Sequence, residues 1–163
     1  MTDDRTPVRA TALSWGMKQS FRNYVAASGG LIEASGGAER VEDGVFTFAP
    51  GPDNSLSLDA DGKPQGRATF VGQVRFEGHG GMLSVRLTDP VLDFGPSGAT
   101  LSIADGPERR LVIAHLDMSA MSTGDAGEIT IPTLLAMDGI HLLDGHYPLK
   151  TPLDPISLTL AQD

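Results

Sequence analysis

Four histidines, two tyrosines and no cysteine set the side-chain chemistry open to this 163-residue chain. Without Cys there are no disulfides, thiolate zinc sites, iron–sulfur clusters or cysteine nucleophiles, so no metal can be held by a thiolate. No pair among His79, His115, His141 and His146 has the His-x-His, His-x3-His or Glu-x-x-His spacing that puts two ligands on one face of an element. His141 and His146 read as solvated loop imidazoles, and His115, between Ala114 and Leu116, reads as a cross-strand packing residue. His79 differs because it sits in Glu77-Gly-His-Gly-Gly-Met82, where glycines allow close backbone approach and leave the imidazole room to enter a cavity. His79-Gly80-Gly81 is also like the glycine-rich oxyanion loop of esterases, but the chain has no Gly-x-Ser-x-Gly elbow. Asp59-Ala-Asp61-Gly62 lacks the remaining ligands of a calcium loop and reads as a turn. Tyr24 has Ser20 one helical turn before it, and its spacing alone favours a core tyrosine with a bonded hydroxyl.

The element that must carry Tyr24 is predicted as a helix over Leu13 to Ser28. Ser14 is its expected N-cap, Met17, Phe21, Tyr24, Val25 and Ser28 form one stripe, and Gly29-Gly30 makes the stop. Most of the remaining chain reads as strands separated by Gly, Pro, Asp and Asn turns, including Gly44–Phe48, Gln65–Glu77, Met82–Thr88, Val91–Phe94, Thr100–Ile103, Arg110–Asp117 and Ile156–Leu160. Phe70, Val74 and Phe76 share a face with Gly72, whose missing side chain leaves room for something bulky, and the turn at His79 makes an antiparallel hairpin into Leu83–Leu87. Pro50 to Gly66 is expected to be a polar loop, and Ile129–Leu143 a loop with one helical turn, broken by Pro132 and Gly139. The sum is a mainly β domain, an antiparallel sandwich or barrel with one short N-terminal helix and a few helical turns. Residues 1–12 are expected to be a flexible leader and 13–163 one domain.

Twelve basic against 21 acidic residues leave a net charge of −9, which argues against nonspecific nucleic-acid or anionic-membrane binding. No stretch approaches the ~20 apolar residues of a membrane span, and Met1 to Thr11 has no apolar signal-peptide core. A cytoplasmic protein is the expectation, or a secreted or cell-surface one if the chain is an excised mature domain.

Two motifs give these residues a context. Leu13-Ser-Trp-Gly-Met-Lys-Gln-Ser-Phe-Arg-Asn-Tyr-Val25 resembles the opening motif of the HtaA domain, the haem-binding module of actinobacterial haem-uptake proteins. Gly72-Gln-Val-Arg-Phe-Glu-Gly-His-Gly-Gly-Met-Leu-Ser-Val-Arg-Leu-Thr-Asp-Pro90 is similar to that family's second motif, a Phe-x-Gly-His turn followed by a strand ending in Asp-Pro or Asn-Pro. A weaker match is Leu111 to Ser119, so the resemblance covers about Leu13 to Met121.

The resemblance implies a non-enzymatic protein that binds, transfers or stores ferric haem b, with Tyr24 as the axial metal ligand and His79 hydrogen-bonded to its oxygen. Ser20 is then expected to meet a propionate, and Phe21, Phe76 and Met82, with Val74, to wall the porphyrin. Lys18, Arg22, Arg75 and Arg86 are candidate counter-charges. Another haem-carrier protein is an expected partner, with the domain a monomer or homodimer. Alternatives are a peroxidase-like haem enzyme, or a pocket for another flat apolar ligand or a partner protein.

Overall fold

The computed structural model describes residues 6–41, 45–78, 80, 82–96, 98–124, 128–143, 145 and 147–162. Strands in its first half are β1 (Thr6–Trp15), β2 (Leu31–Ser35), β3 (Ala38–Arg40), β4 (Phe46–Leu58), β5 (Pro64–Val71) and β6 (Gln73–Gly78). The second half adds β7 (Leu83–Thr88), β8 (Val91–Gly95), β9 (Gly98–Ala104), β10 (Arg110–Leu116), β11 (Ser122–Thr123), β12 (Glu128–Leu135) and β13 (Pro152–Gln162). Helix α1 spans Gln19–Ala27 and α2 spans Met137–Leu142.

Eight strands pair in the order β1-β13-β12-β10-β9-β8-β5-β4, and β4 pairs back onto β1, which closes the sheet into an antiparallel barrel. Closure leaves its wall strands without a free edge. Short β3 and β11 extend from β4 and β12, and β2, β6 and β7 form a separate three-stranded sheet. Alternation supplies the core: the inward residues Leu13, Trp15, Phe46, Phe48, Phe70, Leu92, Leu101, Ile131, Ile156 and Leu158 are all essentially buried. The expected barrel-like β domain with one N-terminal helix is what forms. No helix among the described residues is long and apolar enough to cross a membrane.

The second motif is a single ribbon bent between the two sheets. β5 pairs with β8 in the barrel and β6 with β7 in the small sheet, and the bend falls at Gly72 and Asp89. These two residues bond reciprocally, Asp89 N–H to the Gly72 carbonyl at 2.8 Å and Gly72 N–H to the Asp89 carboxylate at 3.1 Å. Gly72 has φ 133°, a conformation that L side chains rarely adopt, and a Cβ there would lie 2.5 Å from the Ala38 nitrogen. The space beside Gly72 therefore holds the backbone of β3, not a bulky group, and the run Gln65–Glu77 is two strands instead of one.

Three further expectations change. Leu13, Ser14 and Trp15 end β1 instead of opening a helix, and Ser14 lies against Thr47, its hydroxyl 3.4 Å away, instead of capping. Residues 6–12 belong to the barrel wall, since Thr6–Val8 pair with β4 and Val8–Ala12 with β13, which shortens the expected leader. The polar stretch after Pro50 continues β4 to Leu58, with a register shift between Pro50 and Asn54 that accommodates the missing proline N–H.

Asp59 to Lys63 is the expected turn. The Asp59 carboxylate accepts from the N–H groups of Asp61 and Lys63 at 2.9 and 3.0 Å and from the Gln65 amide at 3.3 Å. The Lys63 backbone donor, first among these, holds its carboxyl below the ordinary carboxylate value. A lowered folded-state pKa contributes stability above the unfolded pKa that is lost as pH falls through the folded one. Carboxyl-carbon NMR titration should accordingly place the Asp59 midpoint below that of the acid-unfolded chain, and an ordinary midpoint would refute the turn's charge-assisted bonding.

Candidate functional site

β1 delivers the chain to α1 through a sharp joint: Gly16, then Met17 in the left-handed region at φ 63°, then extended Lys18 at the N-cap. Nine residues make too short a helix to stand in water without packing. Phe21 and Val25 supply that packing from the buried face, and Phe21 meets Phe76 edge-on with ring centroids 5.4 Å apart. The helix stops as its sequence predicts, with Gly29 at φ 74° and Gly30 N–H bonded to the Val25 carbonyl at 2.9 Å, a Schellman closure.

Tyr24 does not share the buried stripe. It is 39% exposed, while Met17, Phe21 and Val25 are at most 1% exposed, so the core-tyrosine alternative is excluded. Ser20, one turn earlier, places its hydroxyl 3.1 Å from that of Tyr147, and the Lys18 ammonium stands 5.4 Å from the Tyr147 ring centroid. Tyr147 is a residue that sequence reasoning missed. It lies 127 positions from Ser20, and no spacing rule connects a loop after α2 to α1.

His79 lies outside the described residues, as does His146. The neighbours of His79 are informative, because a Cβ on Gly78 would sit 2.9 Å from the Ser28 hydroxyl and one on Gly30 would strike the Glu77 carbonyl oxygen at 2.2 Å. The end of β6 is thus pressed against the C-terminus of the helix that carries Tyr24. Met82, on the far side of this connection, is 87% exposed. Phe21, Phe76 and Val74 were expected as porphyrin walls, yet all three are spent on the core, where Phe76 also meets Phe46 edge-on. His115 is exposed on β10, opposite Thr100 and Leu134, and His141 is exposed on α2.

The four expected cations separate cleanly. Arg22 is buried and bound to Asp154 at 2.6 Å, so it is committed to the fold. Arg75 lies 3.6 Å from both Glu33 and Glu77 on the small sheet. Lys18 donates to the Pro152 carbonyl at 2.8 Å beside Tyr147. Arg86 has no ion pair among the described residues and lines a cavity of about 550 Å3 with Gln73, Ser84, Ile103, Leu111 and Leu142. That cavity runs between β7, which enters the small sheet after the His79 connection, and α2, which leads to Tyr147. Its described lining does not include Tyr24 or Ser20, so the cavity and the tyrosine face stand as two features carried by neighbouring elements. Among the described residues, no three His, Cys, Asp or Glu side chains gather as a metal cage.

The architecture is thus a closed antiparallel barrel with an appended three-stranded sheet and a short helix that carries an exposed tyrosine. The HtaA family model matches residues 10–159, and the chain belongs to that family. Among solved structures, it is similar to the C-terminal domain of HtaA from Corynebacterium glutamicum, at 26% identity and a TM-score of 0.71, covering 96% of this chain and 99% of that one. It is also similar to the heme binding protein HtaB of the same organism, at 19% identity and a TM-score of 0.70 over 98% of this chain and 96% of that one. The N-terminal domain of HtaA follows at 23% identity and 0.69, covering 96% and 98%. The latter two likenesses speak for the fold alone. Comparison with curated proteins gives no match.

Proposed function

We propose that this domain binds haem b as a carrier or store, holding ferric iron on the Tyr24 phenolate with His79 hydrogen-bonded to that oxygen. The observation that carries this reading is the exposure of Tyr24 on a helix whose other large apolar side chains are buried. Support comes from membership of the HtaA family, whose model matches residues 10–159. A phenol, with an ordinary pKa near 10, becomes a good ligand where a cation stabilises its phenolate. Haem, when bound, supplies a ferric centre that tyrosinate suits as an axial ligand.

The surrounding residues fit such a group. Ser20 and Tyr147 present adjacent hydroxyls, with the Lys18 ammonium beside them, as a polar end for one propionate. Arg86 offers a further cation in the lining of the 550 Å3 cavity, which joins the apolar Ile103, Leu111 and Leu142 to the carboxylates of Asp89 and Asp105. In a chain of charge −9, these few cations are what offsets the carboxylates of the ligand.

Titration of the purified protein with haemin tests the reading. Saturation at one haemin per chain, with a shifted Soret band and a phenolate-to-iron charge-transfer band, is the expected result. A spectrum that stays that of free haemin would overturn it. Peroxide turnover no faster than that of free haemin is expected from a binding module.

A further inference from the structure

We propose that Asp154, in β13, is a positioning residue that sets the pitch of α1 and through it the orientation of the Tyr24 oxygen; the inference rests on the haem-ligand reading above. α1 begins without the usual local aids: its N-cap Lys18 makes no side-chain capping bond and its first turn has no acidic residue. Asp154 supplies both from 135 positions away, its Oδ1 accepting from the Gln19 N–H at 3.2 Å. A carboxylate at this end also complements the helix dipole.

The same residue ties down everything around the joint. Its Oδ2 accepts from Arg22 Nη1 at 2.6 Å, and that nitrogen also donates to the Gly16 carbonyl at 2.7 Å. Its backbone N–H donates to the Met17 carbonyl at 2.7 Å, and its carbonyl accepts from Trp15 Nε1 at 2.7 Å and the Thr133 hydroxyl at 2.8 Å. Those backbone groups are free to turn this way because the β12–β13 register shifts between Ile131 and Thr133, opposite Asp154 and Pro155. The joint has no slack: a Cβ on Gly16 would lie 2.3 Å from Arg22 Nη1 and 2.6 Å from Asp154 Oδ2. Met17 is held at φ 63° within it, a conformation that persists only where its surroundings impose it. Arg22 and Tyr24 are two residues apart on one short helix, so the guanidinium–carboxylate bond fixes both the axial rotation and the tilt of the ligand.

The test is a double-substitution cycle on the ferric haemin complex, read by haemin dissociation rate and charge-transfer band position. Asp154→Asn keeps an oxygen acceptor but loses the charge facing Arg22; it should speed dissociation at least tenfold and shift the band. In a Tyr24→Phe background the same substitution should change dissociation less than twofold, because it acts through Tyr24. Equal fold-changes in both backgrounds, or none with Tyr24 present, would overturn the positioning role. An unaltered spectrum and affinity in Tyr24→Phe alone would instead overturn the ligand reading, and this inference with it. Trp15 fluorescence reports whether the joint is folded, and where Asp154→Asn does not fold, Arg22→Lys carries the same cycle with a cation retained but no guanidinium fork. Asp93→Asn, which loses the same charge at an exposed pair with Arg67, should leave both readouts unchanged.

Discussion

Replacing Tyr24 by Phe is expected to weaken haemin binding by at least roughly 100-fold, about 2.8 kcal/mol, and to abolish the phenolate charge-transfer band. The substitution removes one oxygen from a residue that is 39% exposed and outside the Phe21–Val25 packing face, so the core packing of the apo fold should be kept. Loss of binding with the core packing kept separates a ligand from a packing residue. Removing an outer partner has a smaller effect, so His79→Ala should cost roughly 10- to 100-fold while leaving the iron–oxygen bond able to form. A ligand that must be deprotonated releases a proton on binding, so affinity should fall as pH falls. Absorbance-monitored competition with a haemin acceptor measures all three, and equal affinity of wild type and Tyr24→Phe would reject the assignment.

The second large effect is structural. Gly72→Ala should destabilise the domain by about 3 kcal/mol, combining left-handed backbone strain with steric overpacking. The Cβ would enter the Ala38 backbone, 2.5 Å from its nitrogen, at the bend where the ribbon passes from barrel to small sheet. For a domain of this size that lowers Tm by roughly 6–12 °C. Gly62→Ala separates the two causes, since Gly62 has φ 78° but nothing within 4 Å of a Cβ, and it should cost only about 1 kcal/mol. Equal losses in the two variants, measured by denaturant unfolding, would show that the contact with β3 is immaterial. Because β6 and β7 leave this bend for the His79 connection, Gly72→Ala should also weaken haemin binding.

Some boundaries were hidden in the sequence for identifiable reasons. Leu13, Trp15 and Met17 alternate as a strand does, whereas Met17, Phe21 and Val25 recur every four residues as a helix does. Met17 belongs to both series, so the periodicity runs unbroken across a change of element that falls at Gly16 and Met17. Pro50 to Leu58 shows little buried alternation, since most of its side chains are half-buried or exposed; its strand is held by backbone pairing with β1 and β5, which no side-chain pattern records. Ile129–Leu143, expected as a loop with one helical turn, is instead a barrel strand through Leu135, paired with β10 and β13, followed by α2; Leu134 and Leu135, which the helical spacing counted, lie in that strand.

Taken alone, the sequence determined that this is a cysteine-free, acidic, mainly β domain with one short helix ended by Gly29-Gly30, and it isolated Tyr24 and His79 through two ordered motifs. Those properties are local, since composition, period and turn chemistry act over a few residues. Only the tertiary structure decided that Tyr24 stands exposed while Phe21 and Phe76 fill the core, that Ser20 meets Tyr147, and that Arg22 is bound to Asp154 and is not free for a propionate. Each of these depends on which face of an element meets a partner more than a hundred positions away or across a sheet, and that is settled by barrel closure and packing, not by neighbours in the chain.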